Sequence, residues 1–204
     1  MSITERRGDR WCESPPQRDR IECCRPLTRP VASARVYETE QQVAELQTIL
    51  DRSHERLGPH ASVIITPERR LTARQVVNYL VGMKHIVVAT VTSRGEPRVG
   101  PVDGHFLRGR FWFGTGDAAL RVQHLRHNPG ISACHLAGDD LGIVIHGRAA
   151  LFGPDDPEGE GMRQHFTKYY GSDPYTWPGG NAAWVRIDPV IMTTFAMDPS
   201  NYPE

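Results

Sequence analysis

The chain has 204 residues, and its 24 basic and 24 acidic side chains give a formal net charge of zero. This length predicts one domain, and a content of 39% hydrophobic and 24% charged residues is typical of a globular protein. The balanced charge gives no support for a nucleic-acid partner. No apolar run approaches the ~20 residues that a membrane helix needs, so we expect no membrane span.

Residues 1–35 are predicted to be a disordered tail, because they are rich in Arg, Pro, Asp and Glu and poor in aliphatic side chains. The tail lacks the apolar core of a signal peptide, so we expect a cytoplasmic protein with reduced thiols. It holds Cys12, Cys23 and Cys24. Zinc sites usually need two close pairs of ligands, and this spacing does not provide them, so we predict no metal site.

Residues 36–70 are predicted to form an amphipathic helix and a connector. The apolar residues of the helix recur at helical spacing: Val43, Leu46, Leu50 and Leu57. Gly58 and Pro59 are predicted to end it, and residues 60–70 are the connector. The apolar stripe is short for a coiled coil, which favours packing on the helix's own domain over pairing with a partner subunit.

The remainder is predicted to be mostly β. Thr72 and Gln75 have capping-box spacing at the start of a second helix, which Gly82 is expected to end. Alternation and turn residues predict strands over 86–92, 97–107, 110–115, 131–136, 141–152, 183–187 and 190–197, with helices over 117–128 and 158–170. This order favours an antiparallel meander that closes into a small β-barrel with peripheral helices.

An anion site is predicted where the strand over 110–115 ends. The chain turns through two glycines around Thr115 into a helix that Asp117 is placed to cap. The start of a helix offers free backbone N–H groups and the positive end of the helix dipole, and Arg121 adds a cation. A phosphate is the simplest ligand. The alternative is that Thr115 merely ends a strand and Arg121 is a solvated helix residue.

Several histidines are also candidates for ligation. His105, His135 and His146 lie on predicted strands and could bind haem or a metal, although hydrogen-bonded or surface histidines are commoner. His124 lies on the short helix, is expected to be exposed, and faces roughly the same way as Arg121 by helical spacing.

The ordered set of motifs resembles one known family over roughly residues 71–197. The residues that carry the resemblance are Gly95, Pro97, Pro101, Thr115, Arg121, Leu125, Asn128, Pro129, Ile145 and Gly147. In this order they are similar to the pyridoxamine 5′-phosphate oxidase-like superfamily of flavin-binding split β-barrels. The resemblance implies a mostly β, six- to seven-stranded antiparallel split barrel of Greek-key type with peripheral helices, covering residues 71–204.

The resemblance also implies a function. Members are homodimers with two cofactor sites at the subunit interface; FMN is the usual cofactor, and one large branch uses a 5-deazaflavin coenzyme. The implied reaction is hydride transfer to or from a small organic substrate, with the chemistry supplied by the cofactor and no catalytic residue expected in the protein. The alternative is a non-catalytic flavin-binding or haem-binding split barrel.

The family's cofactor contacts carry over to eight positions, and the glycine turn and the helical spacing add Gly114 and His124. Thr115 matches the phosphate-binding hydroxyl, and residues 119–121 replace a Ser-x-Lys pattern with one hydroxyl absent and one cation kept. The second strand lines the flavin ring, and Gly100 and His105 stand where the oxidase proper carries cations. The predicted cofactor-binding residues are Gly100, Pro101, Val102, His105, Gly114, Thr115, Ala119, Leu120, Arg121 and His124.

Overall fold

Six antiparallel strands close into one barrel in the computed structural model, which describes residues 38–178 and 182–204. The strands are β1 (Met83–Val91), β2 (Pro97–Leu107), β3 (Arg110–Gly116), β4 (Gly130–Ala137), β5 (Leu141–Phe152) and β6 (Ala182–Ala196). The helices are α1 (Glu40–Glu55), α2 (Pro59–Ile64), α3 (Ala73–Tyr79), α4 (Leu120–His127) and α5 (Pro157–Tyr170). The predicted tail and its three cysteines lie outside the described residues.

The strand order around the barrel is β1-β2-β3-β6-β5-β4, with β4 paired back to β1. The fourth strand therefore lies beside the first, as in a Greek key. The predicted fold class, a mostly β antiparallel barrel with peripheral helices, is confirmed. The simple meander is wrong at one point, because α4 carries the chain from β3 across the barrel and leaves β6 as the neighbour of β3.

The barrel is split between β2 and β3. β2 pairs with β1 from Pro97 to His105, but it pairs with β3 only over His105–Leu107. Residues 97–104 therefore have a strand partner on one side alone. The N–H and C=O groups along the other side of this segment have no β ladder, so they are available to a helix, water or a ligand.

The interior of the barrel and two helices share one hydrophobic core. Leu46 and Leu50 of α1 are buried in the same cluster as Ile86 and Ile145 of the barrel. α1 is also tied to β6, since the Met192 amide donates to Ser53 Oγ at 3.0 Å. The amphipathic helix thus packs on its own chain.

Local sequence patterns predicted the start of α3 correctly but missed the helical segments in the connector. Thr72 and Gln75 form the predicted capping box, and Gly82 follows the helix with φ of 77°. The connector, however, contains α2 and a 3₁₀ turn (Pro67–Arg69). Pro59 is the first residue of α2, because its fixed φ suits the start of a helix. The residue predicted to end the first helix therefore also begins the next one.

The two predicted C-terminal strands are one strand, β6, with a bulge. His146 of β5 pairs with Ile191 and Gly147 pairs with Pro189, which leaves Val190 as the extra residue. A bulge tolerates proline, because the missing N–H falls where the ladder is already interrupted. The backbones approach closely here: a Cβ on Gly147 would lie 2.2 Å from the Asp188 carbonyl oxygen.

We therefore expect Gly147→Ala to lower the free energy of unfolding by ~1–3 kcal/mol, because the new methyl forces β5 and β6 apart at the bulge. Gly142→Ala is the matched control on the same strand, where the Cβ would meet Leu136 Cδ2 at an ordinary 3.5 Å. Urea unfolding measures both. Equal losses in the two variants would contradict a specific role for the close approach.

Candidate cofactor site

A cavity of about 910 Å³ lies where α4 meets the ends of β1 and β2. We call it the α4 pocket. Its walls come from β1, the turn between β1 and β2, the first half of β2, and α4. The residues used below are Thr90, Arg94, Glu96, Arg98, Val99, Gly100, Ala119, Leu120, Arg121, His124 and His127.

The start of α4 differs from the prediction. The helix begins at Leu120, and Ala119 rather than Asp117 is its N-cap. Residues 117–119 continue the turn, since the Ala119 amide bonds to the Gly116 carbonyl at 3.0 Å. Ala119 has no side-chain oxygen, so the first turn of α4 has no side-chain cap. The Val122 amide bonds to the Ala119 carbonyl at 2.9 Å, which leaves the Leu120 and Arg121 N–H groups without an intrahelical acceptor.

Arg121 brings a cation to the pocket without a matching anion. A Cβ on Gly100 would lie 3.4 Å from Arg121 Nη2, so the guanidinium lies against the bare backbone of β2. Its Nη1 is buried and has no hydrogen-bond partner among the described residues. Burial lowers the pKa of the guanidinium. A buried donor without an acceptor costs ~1–3 kcal/mol, which makes this the place in the pocket where an anion is most favoured.

His124 is half-buried rather than exposed. Its Nδ1 is 3.0 Å from Oγ1 of Thr90, a residue only 3% exposed. The prediction of exposure was wrong because a polar side chain on β1 faces α4. As predicted from their spacing, His124 and Arg121 share a face of the helix, and both line the α4 pocket.

The charges around the pocket favour an anion. Among the residues that the structure describes, three arginines line it, Arg94, Arg98 and Arg121, together with one carboxylate, Glu96. Glu96 is engaged by Arg98 at 2.6 Å. This leaves an excess of positive charge facing the cavity.

The structure brings together half of the predicted residues. Those that line the α4 pocket are Gly100, Ala119, Leu120, Arg121 and His124. Pro101 and Val102 continue β2 beyond the pocket, with Val102 packed half-buried against the core. Gly114 and Thr115 pair with β6, and Gly114 lies over Trp184, whose Cζ3 would be 2.9 Å from an added Cβ.

His105 lies elsewhere, under α5. Its Nε2 shares a hydrogen bond with the Tyr170 hydroxyl at 3.1 Å, and its Nδ1 shares one with His165 Nε2 at 3.2 Å. Burial, reinforced by the charge of His165 when protonated, lowers the pKa of His105 to about 3. This is a neutral packing cluster, separate from the α4 pocket.

The other strand histidines are hydrogen-bonded. His135 contacts the Tyr79 hydroxyl at 3.1 Å, and His146 contacts Ser132 Oγ at 2.8 Å. Within residues 38–178 and 182–204, no group of three or more His, Cys, Asp or Glu side chains is placed to hold a metal ion. In the same ranges, no helix has the length and apolar character to cross a membrane.

Sequence reasoning missed Thr90, Arg94 and Arg98 as pocket residues. The signal for Thr90 was present: it is a polar residue at an inward position of an apolar strand, and buried polar groups normally have a partner. The arginines carried no local signal, because charged residues in and after a turn are ordinary. Their role depends on the turn lying opposite α4.

Comparison with known proteins identifies a matching family and several structures with a similar fold. The profile of the family described as pyridoxamine 5′-phosphate oxidase matches residues 72–191, more than half of the chain. No curated protein matches the sequence. A conserved hypothetical protein from Mycobacterium tuberculosis shares the fold with a TM-score of 0.55 and 17% identity, over 68% of this chain and 92% of its own.

Two further solved structures are more distant. A pyridoxamine 5′-phosphate oxidase-related, FMN-binding protein from Nostoc punctiforme has a TM-score of 0.45 and 17% identity, over 70% of this chain and 86% of its own. The haem storage protein HutZ from Vibrio cholerae has a TM-score of 0.46 and 14% identity, over 69% of this chain and 94% of its own.

The His105 cluster generates a pH prediction. In the unfolded chain the pKa of a histidine is near 6.5, whereas the folded pKa of His105 is about 3. The unfolded state therefore binds more protons between these values, and the stability from this group falls by ~1.4 kcal/mol per pH unit as the pH drops below 6.5.

We expect the His105→Gln variant to lose part of this pH dependence, measured as unfolding free energy from pH 7 to pH 4. His127→Gln, at an exposed position of α4, is the control for replacing a histidine outside this cluster. Carboxylates contribute equally to all three proteins, so only the difference between slopes matters. Parallel curves for wild type and His105→Gln would refute the assignment.

Proposed function

The chain belongs to the pyridoxamine 5′-phosphate oxidase family, and from this premise we propose that it binds FMN in the α4 pocket and acts as an oxidoreductase on a small organic substrate. The observation that carries the proposal is the buried Arg121 Nη1, which has no acceptor within the described chain. A phosphate on the cofactor supplies that acceptor. Bound flavin supplies the hydride chemistry, while the protein binds, orients and shields it.

The phosphate would be held by one side chain and by backbone. Arg121 offers a charge-assisted hydrogen bond to a phosphate oxygen, roughly twice as strong as a neutral one. The uncapped first turn of α4 adds N–H donors and the positive end of the helix dipole. Gly100 leaves the space that the guanidinium occupies, so the residues present fit a phosphate.

The ring would lie along the open side of β2. Residues 97–104 pair with β1 alone, so their second side has backbone groups free for the polar edge of a flavin. Gly100, Pro101 and Val102 are the proposed contacts. Neither Thr115, on the β3–β6 ladder, nor His105, under α5, lines the α4 pocket, so the proposed contacts do not need them and their predicted role stays a prediction.

A second copy of the chain would cover the site. The outward-facing residues of β2, β1, β4 and β5 form a continuous surface, which we call the apolar sheet face: Val99, Pro101, Val87, Ala89, Cys134, Leu136 and Val144. Val99 and Leu120 also line the α4 pocket, and they are 69% and 68% exposed. A homodimer that buries this face would close the mouth of the pocket and exclude water.

The second candidate is a non-catalytic flavin carrier. It is favoured by the scarcity of carboxylates: Glu96 is the one carboxylate among the described residues that line the pocket, and Arg98 engages it. A 5-deazaflavin coenzyme would use the same cation. An absorbance spectrum from 300 to 700 nm followed by separate titrations of FMN and the deazaflavin decides the cofactor, and a Soret band would instead indicate haem.

We expect Arg121→Ala to weaken FMN binding by ~1–3 kcal/mol, because one charge-assisted bond to the phosphate is lost. Riboflavin, which lacks the phosphate, should bind wild type and variant alike. Arg126→Ala is the matched control on the exposed side of the same helix. Quenching of flavin fluorescence gives the dissociation constants. An unchanged FMN constant, or an equal loss for riboflavin, would remove Arg121 from the phosphate site.

We expect the wild-type protein to sediment as a dimer and Val87→Glu to sediment as a monomer with weakened FMN binding. Val87 lies in the middle of the apolar sheet face and is 45% exposed in the single chain, so a carboxylate there would be buried at the interface. Val63→Glu, at a 76% exposed position on α2, is the control. A wild-type monomer at all concentrations would refute this arrangement.

A further inference from the structure

We propose that His124 is a second phosphate ligand that takes up a proton when FMN binds, so that the α4 pocket selects the phosphorylated flavin more strongly as the pH falls. The proposal rests on the proposed function and deepens it. It assigns a ligand role to His124, a positioning role to Thr90, and a pH dependence to the site.

The orientation of the His124 ring is fixed by Thr90. Thr90 Oγ1 lies 3.0 Å from Nδ1, and Thr90 is buried in β1. A hydroxyl can accept or donate a hydrogen bond, so it suits both protonation states of the ring. The other ring nitrogen, Nε2, has no hydrogen-bond partner within the part of the chain that the structure describes, and His124 lines the pocket.

His124 and Arg121 can act on the same anion. They are three residues apart, which places them on one face of α4, and both line the α4 pocket. The hydroxyl that Ala119 lacks would have supplied another phosphate donor at the helix start. A protonated imidazole one turn along supplies a donor and a charge in its place.

The charged groups that face His124 determine the sign of the effect. They are Arg121 and His127 on α4, Arg94 and Glu96 at the turn, and Arg98 on β2. Glu96 is held by Arg98, so no free carboxylate among the described residues faces the ring. A phosphate dianion entering this environment brings the negative charge that favours the imidazolium. Binding and protonation are therefore coupled, and each promotes the other.

Calorimetry of FMN binding in buffers of different ionisation enthalpy measures the protons taken up. At pH 7 we expect wild type to take up a substantial fraction of one proton more than His124→Gln does, and we expect riboflavin to cause no uptake in either. From pH 8 to pH 6, the ratio of FMN to riboflavin affinity should rise about three- to tenfold in wild type relative to His124→Gln. Titration of the phosphate itself cancels in this comparison.

Two further variants test the roles assigned. His146→Gln is the matched control: His146 Nδ1 also faces a hydroxyl, Ser132 Oγ at 2.8 Å, but on β5 and away from the pocket. It should leave the proton uptake at the wild-type value. Thr90→Val frees the ring, so we expect weaker FMN binding with pH dependence retained, which marks Thr90 as a positioning residue.

The outcomes separate the two proposals. A proton uptake on FMN binding that is the same in wild type and in His124→Gln overturns the role of His124 and leaves the cofactor site standing. If His124→Gln folds poorly, His124→Asn supplies the same comparison with wild type, in which the titration of the FMN phosphate again cancels. Failure of wild type to bind FMN at any pH overturns the proposed function itself.

Discussion

The early separation of β2 from β3 is the constraint on which the rest of the site depends. The two strands share a ladder over three residues of β2 and then diverge, which leaves residues 97–104 with one strand partner. An open strand edge invites aggregation unless something covers it. Here Arg121 reaches from α4 to the backbone at Gly100, where an added Cβ would lie in contact with the guanidinium, 3.4 Å from Nη2. The split, the helix and the cation are thus parts of one arrangement.

The position of α4 depends on packing rather than on its own sequence. A helix of eight residues is marginal in isolation, and this one has no side-chain cap. The side chains of its own Val122 and Leu125 are buried, and the hydrogen bond between Thr90 and His124 ties the helix to β1. These contacts hold its first turn beside the end of β2 with its N–H groups uncapped. An anion bound there would supply the missing cap and stabilise the helix that binds it.

Features that depend on neighbouring residues in the sequence could be predicted, whereas features that depend on tertiary packing could not. The capping box at Thr72 and the long strand β5 were local patterns, and both are present. Asp117 and Pro189 also gave local signals, but a continued turn and a bulge overrode them. For the site, the resemblance predicted Arg121 as a cofactor contact, and in the structure Arg121 lines the α4 pocket. The resemblance could not exclude His105, because only the packing of α5 against β2 shows that this residue is engaged elsewhere.

The buried Nη1 of Arg121, which has no partner among the described residues, has an energetic cost in the folded chain. A charged donor without an acceptor opposes folding by ~1–3 kcal/mol, a sizeable part of the ~5–15 kcal/mol that holds a typical domain. An apolar side chain at this position would avoid that cost and fill the space against Gly100. Retaining the guanidinium therefore makes sense if an anion satisfies it. Any ligand that binds only the folded state stabilises it by RT ln(1 + [L]/Kd), so ligand binding in this pocket and the stability of the fold are thermodynamically linked.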